Sequence, residues 1–145
     1  MSMPLPNPEP GLVISYSYLW RNQQEKGNAE GRKNRPCVII LAVENKAGET
    51  KVTVAPITSS ALKNAADGVE VPLEVKKHLG LDSGNSWIII TEVNQFVWPG
   101  YDIRPIKANN DKFDYGFIPS KLFRKVKASL FEVAKMRKLK IVPRD

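Results

Sequence analysis

The apolar and polar positions follow three different rhythms along the chain, and the changes between them set out the expected elements. In the middle, the run Cys37-Val38-Ile39-Ile40-Leu41-Ala42-Val43 gives way to a polar stretch, Glu44 to Thr50, with Gly48 near its tip. A second run, Lys51-Val52-Thr53-Val54-Ala55-Pro56-Ile57, then ends on Thr58, Ser59 and Ser60. Two β-branched runs around a short Gly-containing turn predict an antiparallel hairpin. Upstream, Gly11-Leu12-Val13-Ile14-Ser15-Tyr16 predicts a first strand. Tyr16, Tyr18 and Trp20 alternate with Ser15, Ser17 and Leu19, which suits a sheet with one buried face. The polar segment Arg21 to Asn34 reads as a long surface loop, and long loops in compact domains tend to carry function.

Downstream, residues 61–68 form a polar loop with room for a helical turn. Val69-Glu70-Val71-Pro72-Leu73 reads as a short strand, which Pro72 confines to a sheet edge or strand end. Val75 to Leu81 predicts a short helix stopped by Gly80. Trp87-Ile88-Ile89-Ile90-Thr91-Glu92-Val93 is the strongest central strand, with a conspicuous carboxylate, Glu92, at its end. Phe96-Val97-Trp98 and Ile103-Arg104-Pro105-Ile106 flank the Pro99-Gly100-Tyr101-Asp102 turn and predict a further hairpin. From Pro119 the period becomes helical. Leu122, Phe123, Val126, Leu130, Val133 and Ala134 share one face, and Lys121, Arg124, Lys125, Lys127 and Lys135 take the others. Leu139-Lys140-Ile141-Val142 predicts an edge strand. The expectation is one domain over residues 1–145, comprising a mobile Pro-rich arm (1–10), a small β-barrel (11–106) of five to seven mostly antiparallel strands, and an amphipathic helix (119–137).

Composition narrows the function. The 145-residue chain is 42% hydrophobic, enough for its own core, and carries a net charge of +7. Such a balance favours nucleic acid, an anionic membrane or an acidic protein as partner. No apolar run approaches the roughly 20 residues that span a bilayer, and the proline-rich start is not a signal peptide. The single Cys37 excludes an internal disulfide and suits a reducing cytoplasm, where it reads as a small core residue. The single His78 lies among lysines, which argues against a histidine general base or a His-rich zinc site. No phosphate-cradling glycine loop, CxxC, HExxH or GxSxG is present. Neither a metal nor a cofactor is expected. What remains is the hairpin itself, which folds Arg35 back beside Thr58. A fixed guanidinium next to a fixed hydroxyl suits a phosphate.

These residues resemble a family. Gly11-Leu12-Val13-Ile14, then Glu30-Gly31-Arg32-Lys33-Asn34-Arg35-Pro36 before an apolar strand, then Val54-Ala55-Pro56-Ile57-Thr58 is similar to the order found in the MazF/PemK toxins. Thr91-Glu92-Val93-Asn94-Gln95-Phe96-Val97-Trp98 is similar to that family's fifth-strand region, and the likeness covers roughly residues 10–135. The resemblance implies an SH3-like barrel closed by a helix and a cytoplasmic homodimer with an RNA groove at the subunit junction. It implies a toxin neutralised by an acidic antitoxin. The implied activity is metal-independent cleavage of single-stranded mRNA, by attack of the ribose 2′-hydroxyl on the adjacent phosphate to leave a cyclic phosphate. On that pattern Arg35 stabilises the phosphorane, Thr58 binds a phosphate oxygen or positions the hydroxyl, and Glu30 and Glu92 are the two candidates for proton acceptor. Arg32, Lys33, Asn34, Ser59, Ser60 and Asn94 are the expected RNA contacts. The sequence departs from the pattern at Leu12, where an acid is common, at Ile90, where some members carry Arg, and in a longer 61–85 segment. Two other readings share the barrel: a gyrase-binding toxin of the CcdB type, and a non-catalytic nucleic-acid-binding module with Tyr16, Tyr18, Trp20 and Trp98 as stacking platforms.

Overall fold

Residues 35–58 form the expected hairpin, and the rest of the sheet is laid around it. In this computed structural model, which describes residues 5–25, 34–82, 84–106, 112–136 and 138–144, the hairpin strands are Arg35–Glu44 and Thr50–Thr58. Numbered in chain order, the strands are β1 (Leu12–Tyr16), β2 (Arg35–Glu44), β3 (Thr50–Thr58), β4 (Gly68–Glu70), β5 (Trp87–Ile89), β6 (Glu92–Trp98), β7 (Asp114–Phe117) and β8 (Lys140–Pro143). The helices are α1 (Arg21–Glu25), α2 (Leu73–Leu79) and α3 (Ser120–Lys135). The β2–β3 turn is tied by Asn45, whose Oδ1 accepts from the Ala47 and Glu49 amides at 3.0 Å each. Gly48 takes the left-handed φ of 81° that the turn requires.

The strand order is β4-β5-β3-β2-β1-β7, with β6 also paired to β3 and β8 to β6. Every pairing is antiparallel except β6 with β8. The mainly β fold with a C-terminal helix is therefore as expected and compatible with a MazF-like barrel. Among the described residues the strand count is eight instead of five to seven, and the sheet is not closed into a complete ring.

Strand β3 changes partner along its length. Its first part, Thr50–Val54, pairs with β6, and its last two residues pair with β5. Ala55 and Pro56 lie in the gap. A residue without an N–H is tolerated where a strand edge is unpaired, and Pro56 sits at such a place. Opposite this gap the expected continuous strand 87–93 is broken: Ile90 and Thr91 belong to neither β5 nor β6. The register runs from Ile57↔Ile88 to Val54↔Asn94, so the partner chain carries extra residues that bulge out of the ladder. Freed from β3, the Ile90 amide donates to Asp67 O at 2.9 Å, and the Thr91 carbonyl accepts the Lys140 amide at 2.9 Å. The bulge thereby gives β8 its docking point.

Two cores lie on opposite faces of the sheet. Val13, Val38, Ile40, Ala55 and Ile57 face α2 and α3. Leu12, Ile14, Tyr16, Cys37, Ile39, Val52, Val54 and Phe96 form the second, aromatic core together with Tyr18 and Ile103. All five residues of β1 are buried, so the expected one-sided strand is two-sided. Tyr16 stacks on Phe96 at 4.8 Å and is core, as is Tyr18. Cys37 is core as expected, and burial pushes its thiol pKa up. Leu5, in the N-terminal arm, packs against the aromatic core.

Helix α3 buries Leu122, Val126 and Leu130, one per turn, each worth on the order of 2 kcal/mol. Phe123 and Val133 pack at the margin, whereas Ala134 is exposed instead of sharing the buried face. Helix α2 starts two residues before the expected point, at Leu73, and this removes Val71-Pro72-Leu73 from the expected strand. Gly80 ends it with φ 74°, its amide and that of Leu81 reaching Lys77 O and Lys76 O. His78 is exposed on it. Arg21–Glu25 is helix and not loop. The expected hairpin around residues 99–102 is absent. Ile103 bridges to Tyr16, while Ser17 N donates to Asp102 O and Arg104 N to Ser15 O, so this segment runs along β1 and not β6. No helix among the described residues is long and apolar enough to cross a membrane.

Candidate functional site

Hairpin register decides which side chains meet at its open end. The pairs Cys37↔Pro56 and Val38↔Ala55 bring the start of β2 beside the end of β3. Arg35 opens β2 and is itself paired to Tyr16 of β1. Thr58 closes β3 and pairs with Trp87 of β5. Both ends are thus held from two sides.

Arg35 is half-buried. Its guanidinium carbon lies 5.1 Å from the centroid of the Trp20 ring, a cation–π arrangement. Its Nε is buried and has no hydrogen-bond partner among the described residues. Burial lowers the guanidinium pKa from its ordinary value, though not to a range where arginine loses its proton. Below it opens a cavity of about 170 Å³ lined by Asn34, Arg35, Pro36, Ile57, Ser59, Leu81, Asp82 and Ser86. Thr58 is only 7% exposed, and its hydroxyl oxygen accepts the Ser60 amide at 3.1 Å. That bond shapes the turn carrying Ser59 and Ser60, both exposed, and leaves the hydroxyl hydrogen to be donated elsewhere.

Glu92 sits in a different cavity, of about 460 Å³, lined by Trp20, Arg21, Asn22, Glu92 and Lys140. The residue as a whole is 8% exposed. Its Oε2 accepts the Tyr18 hydroxyl at 2.9 Å and the Arg21 amide at 3.1 Å. Desolvation raises the Glu92 pKa above the ordinary carboxylate value, opposed by those two hydrogen bonds and by the charges of Lys140 and Arg21. Burial, with Glu92 adding to it, holds the Tyr18 phenol well above its own ordinary value. The β6–β8 register sets Lys140 directly beside Glu92. Trp20 is the link between the cavities: Arg35 stands over its ring, and the ring lines the wall at Glu92.

Asn94 has no exposed surface. Its Oδ1 accepts the Leu19 amide at 3.0 Å, and its Nδ2 donates to Leu19 O at 2.9 Å. The side chain acts as a short strand for the segment after β1 and fixes the approach to Trp20. Asn34 is exposed at the rim of the Arg35 cavity. Glu30, Arg32 and Lys33 lie outside the described residues. The structure therefore brings Arg35, Asn34 and Ser59 around one cavity with Thr58 beneath the adjoining turn, and places Glu92 in the neighbouring one.

Sequence reasoning missed Asp82, Ser86, Arg21, Asn22 and Lys140. Trp20, third in the Tyr16/Tyr18/Trp20 alternation, carried a signal, and Arg21 and Asn22 fell in the segment expected to carry function without being singled out. Trp98 is half-buried and packs against the aromatic core. No three His, Cys, Asp or Glu side chains cluster as a metal site among the described residues. No curated protein matches the chain. Residues 18–97, more than half of the chain and spanning Trp20, Arg35, Thr58, Glu92 and Asn94, match the model of a family described as PemK-like, MazF-like toxin of type II toxin-antitoxin system, and the protein belongs to that family.

Proposed function

We propose that this toxin is a metal-independent endoribonuclease that cleaves single-stranded RNA at the Arg35 cavity. Membership of the family implies an antitoxin partner. The observation that carries the catalytic reading is Arg35: a half-buried guanidinium, clamped on Trp20, with an unpartnered Nε beside a turn of hydroxyls. Such a group is pre-paid in desolvation and lacks an anion. A phosphate whose non-bridging oxygens gain charge as the 2′-oxygen attacks would supply one. Thr58 and Ser59 contribute donors at the same turn, and Ser60, Asn34, Arg32 and Lys33 extend the contact along the backbone. Arginine is already protonated and cannot take the 2′-proton, so a carboxylate does. Glu92 is already held by Tyr18 and Arg21 in the adjoining cavity, and we assign the proton acceptor to Glu30, five residues before Arg35 in sequence. Attack of the 2′-oxygen then forms a bond to phosphorus, the bond from phosphorus to the 5′-oxygen breaks, that oxygen takes a proton from solvent water, and a 2′,3′-cyclic phosphate results. The toxin acts as a homodimer, with the groove at the subunit junction and an acidic antitoxin segment competing for the basic surface.

The test is cleavage of a single-stranded RNA by purified protein in excess EDTA, with the 5′ fragment analysed for a cyclic phosphate. Cleavage with that terminus is expected. Cutting that begins only on addition of Mg²⁺, or a 3′-hydroxyl terminus, would overturn the mechanism.

A further inference from the structure

The cavity at Glu92 has three properties that the cleavage reaction as described above leaves unused. It is large enough, at about 460 Å³, for a small organic group. It has an aromatic wall, Trp20, next to Arg35. It holds a fixed acceptor: both hydrogen bonds to Glu92 fall on Oε2, and Oε1 receives none among the described residues. A fourth property comes from a strand outside the family match. Strand β8 docks on β6 through the bulge at Thr91 and sets the exposed ammonium of Lys140 beside Glu92.

An acceptor, an aromatic wall and a cation within one cavity are what a nucleotide offers partners for. Carboxylates accept from exocyclic amino groups, such as cytosine N4. Aromatic side chains favour bases, and a lysine at the rim neutralises a phosphate. An acidic peptide would satisfy Lys140 but set its carboxylates against Glu92.

We propose that this cavity is the subsite for a nucleotide flanking the scissile phosphate, one whose base carries an exocyclic amino group, with Glu92 Oε1 accepting from that group, Trp20 as the aromatic wall and Lys140 on the neighbouring phosphate. This rests on the nuclease reading, because Trp20 and Arg35 place the subsite one step from the phosphate to be cut. Glu92 is then a specificity residue. Tyr18 and the Arg21 amide are the groups that aim it.

The experiment compares wild type with Lys140→Gln and Glu92→Gln on single-stranded RNA randomised around the cut. In parallel, binding is measured on a 2′-O-methyl RNA, which has no attacking hydroxyl. Lys140 is exposed, so its variant tests the proposal without disturbing the core, and Glu92→Gln keeps an oxygen for Tyr18 and Arg21. Lys140→Gln is expected to raise KM and the Kd for the 2′-O-methyl RNA several-fold, with the effect on KM and not kcat. It should also reduce the salt slope by about one counterion. Glu92→Gln is expected to relax base preference at one flanking position by about tenfold. Wild-type KM, salt slope and base preference in both variants would overturn the subsite while leaving the nuclease reading in place. Variant-sensitive binding of the 2′-O-methyl RNA by a wild type that cuts nothing would overturn the nuclease reading and keep the nucleotide site. A wild type that neither binds nor cuts overturns both.

Discussion

The cavity at Arg35 takes most of its polar wall from the open end of one hairpin, whereas the cavity at Glu92 is assembled from three distant stretches: residues 20–22, the start of β6 and the start of β8. In the first, the Nε of the charged group has no hydrogen-bond partner among the described residues. In the second, the charged group is already bonded by a phenol and an amide. On the proposed reading, the difference separates a group poised to meet charge that appears during a reaction from a group poised to read a fixed donor. Catalytic stabilisation gains most from the former and recognition from the latter.

Substitutions at three positions break this contrast at different strengths. The largest effect is expected from Arg35→Ala. Loss of a preorganised donor to the developing phosphorane should lower kcat by about 10²–10³, measured in single-turnover cleavage. Arg35→Lys should recover little, since an ammonium is a point charge without the planar fork. If Arg35→Ala cleaves at the wild-type rate, the guanidinium is structural and the two cavities are not functionally distinct.

Next in size is Asn94→Ala, which acts on both cavities through Trp20. It leaves the Leu19 amide and carbonyl buried without their partner, at about 1–3 kcal/mol for each unsatisfied group. Urea denaturation should show a matching loss of stability. A neutral result would mean that the Leu19–Trp20 segment is held by other contacts.

The smallest effect concerns Glu92 and depends on pH. Its folded-state pKa is raised, chiefly by desolvation, so the folded protein binds that proton more tightly than the unfolded chain. The stabilisation is complete below the unfolded value, about 4.3, and is lost as pH rises through the higher folded value. Glu92→Gln cannot ionise. Its Tm relative to wild type should therefore rise from about pH 4 until the pH has passed the folded value, and stay level above that. Melting curves across this range check the sign, and a variant Tm that falls relative to wild type as pH rises would contradict it.

The sequence made the first cavity legible and hid the second for a physical reason. A hairpin is local: two β-branched runs and a Gly-containing turn determine its register, and the register sets the start of β2 against the end of β3. The Gly80 cap and the buried row of α3 were likewise written in short-range pattern. Glu92 was expected near the end of an unbroken strand, because nothing in Trp87–Val93 itself announces the bulge. Its cause lies in another strand, at the Ala55–Pro56 gap where β3 changes partner. The pairing of Lys140 with Glu92 follows from that bulge and so could not be read from either segment alone. Strand β7 was overlooked for a related reason: Asp114-Tyr115-Gly116-Phe117 has weak strand propensity and is a strand because β1 offers it an edge.

The parallel seating of β8 on β6 bears on the order in which the molecule matures. Antiparallel neighbours can join through a tight turn, but parallel ones need a long crossover, here the passage through β7 and α3. Closing that longer loop is slower than zipping a hairpin. During synthesis Lys140 is added after every residue that lines the Arg35 cavity. A nascent chain would thus complete the Arg35 cavity before Lys140 joins the Glu92 cavity, and an antitoxin that captures it early would meet the former without the latter.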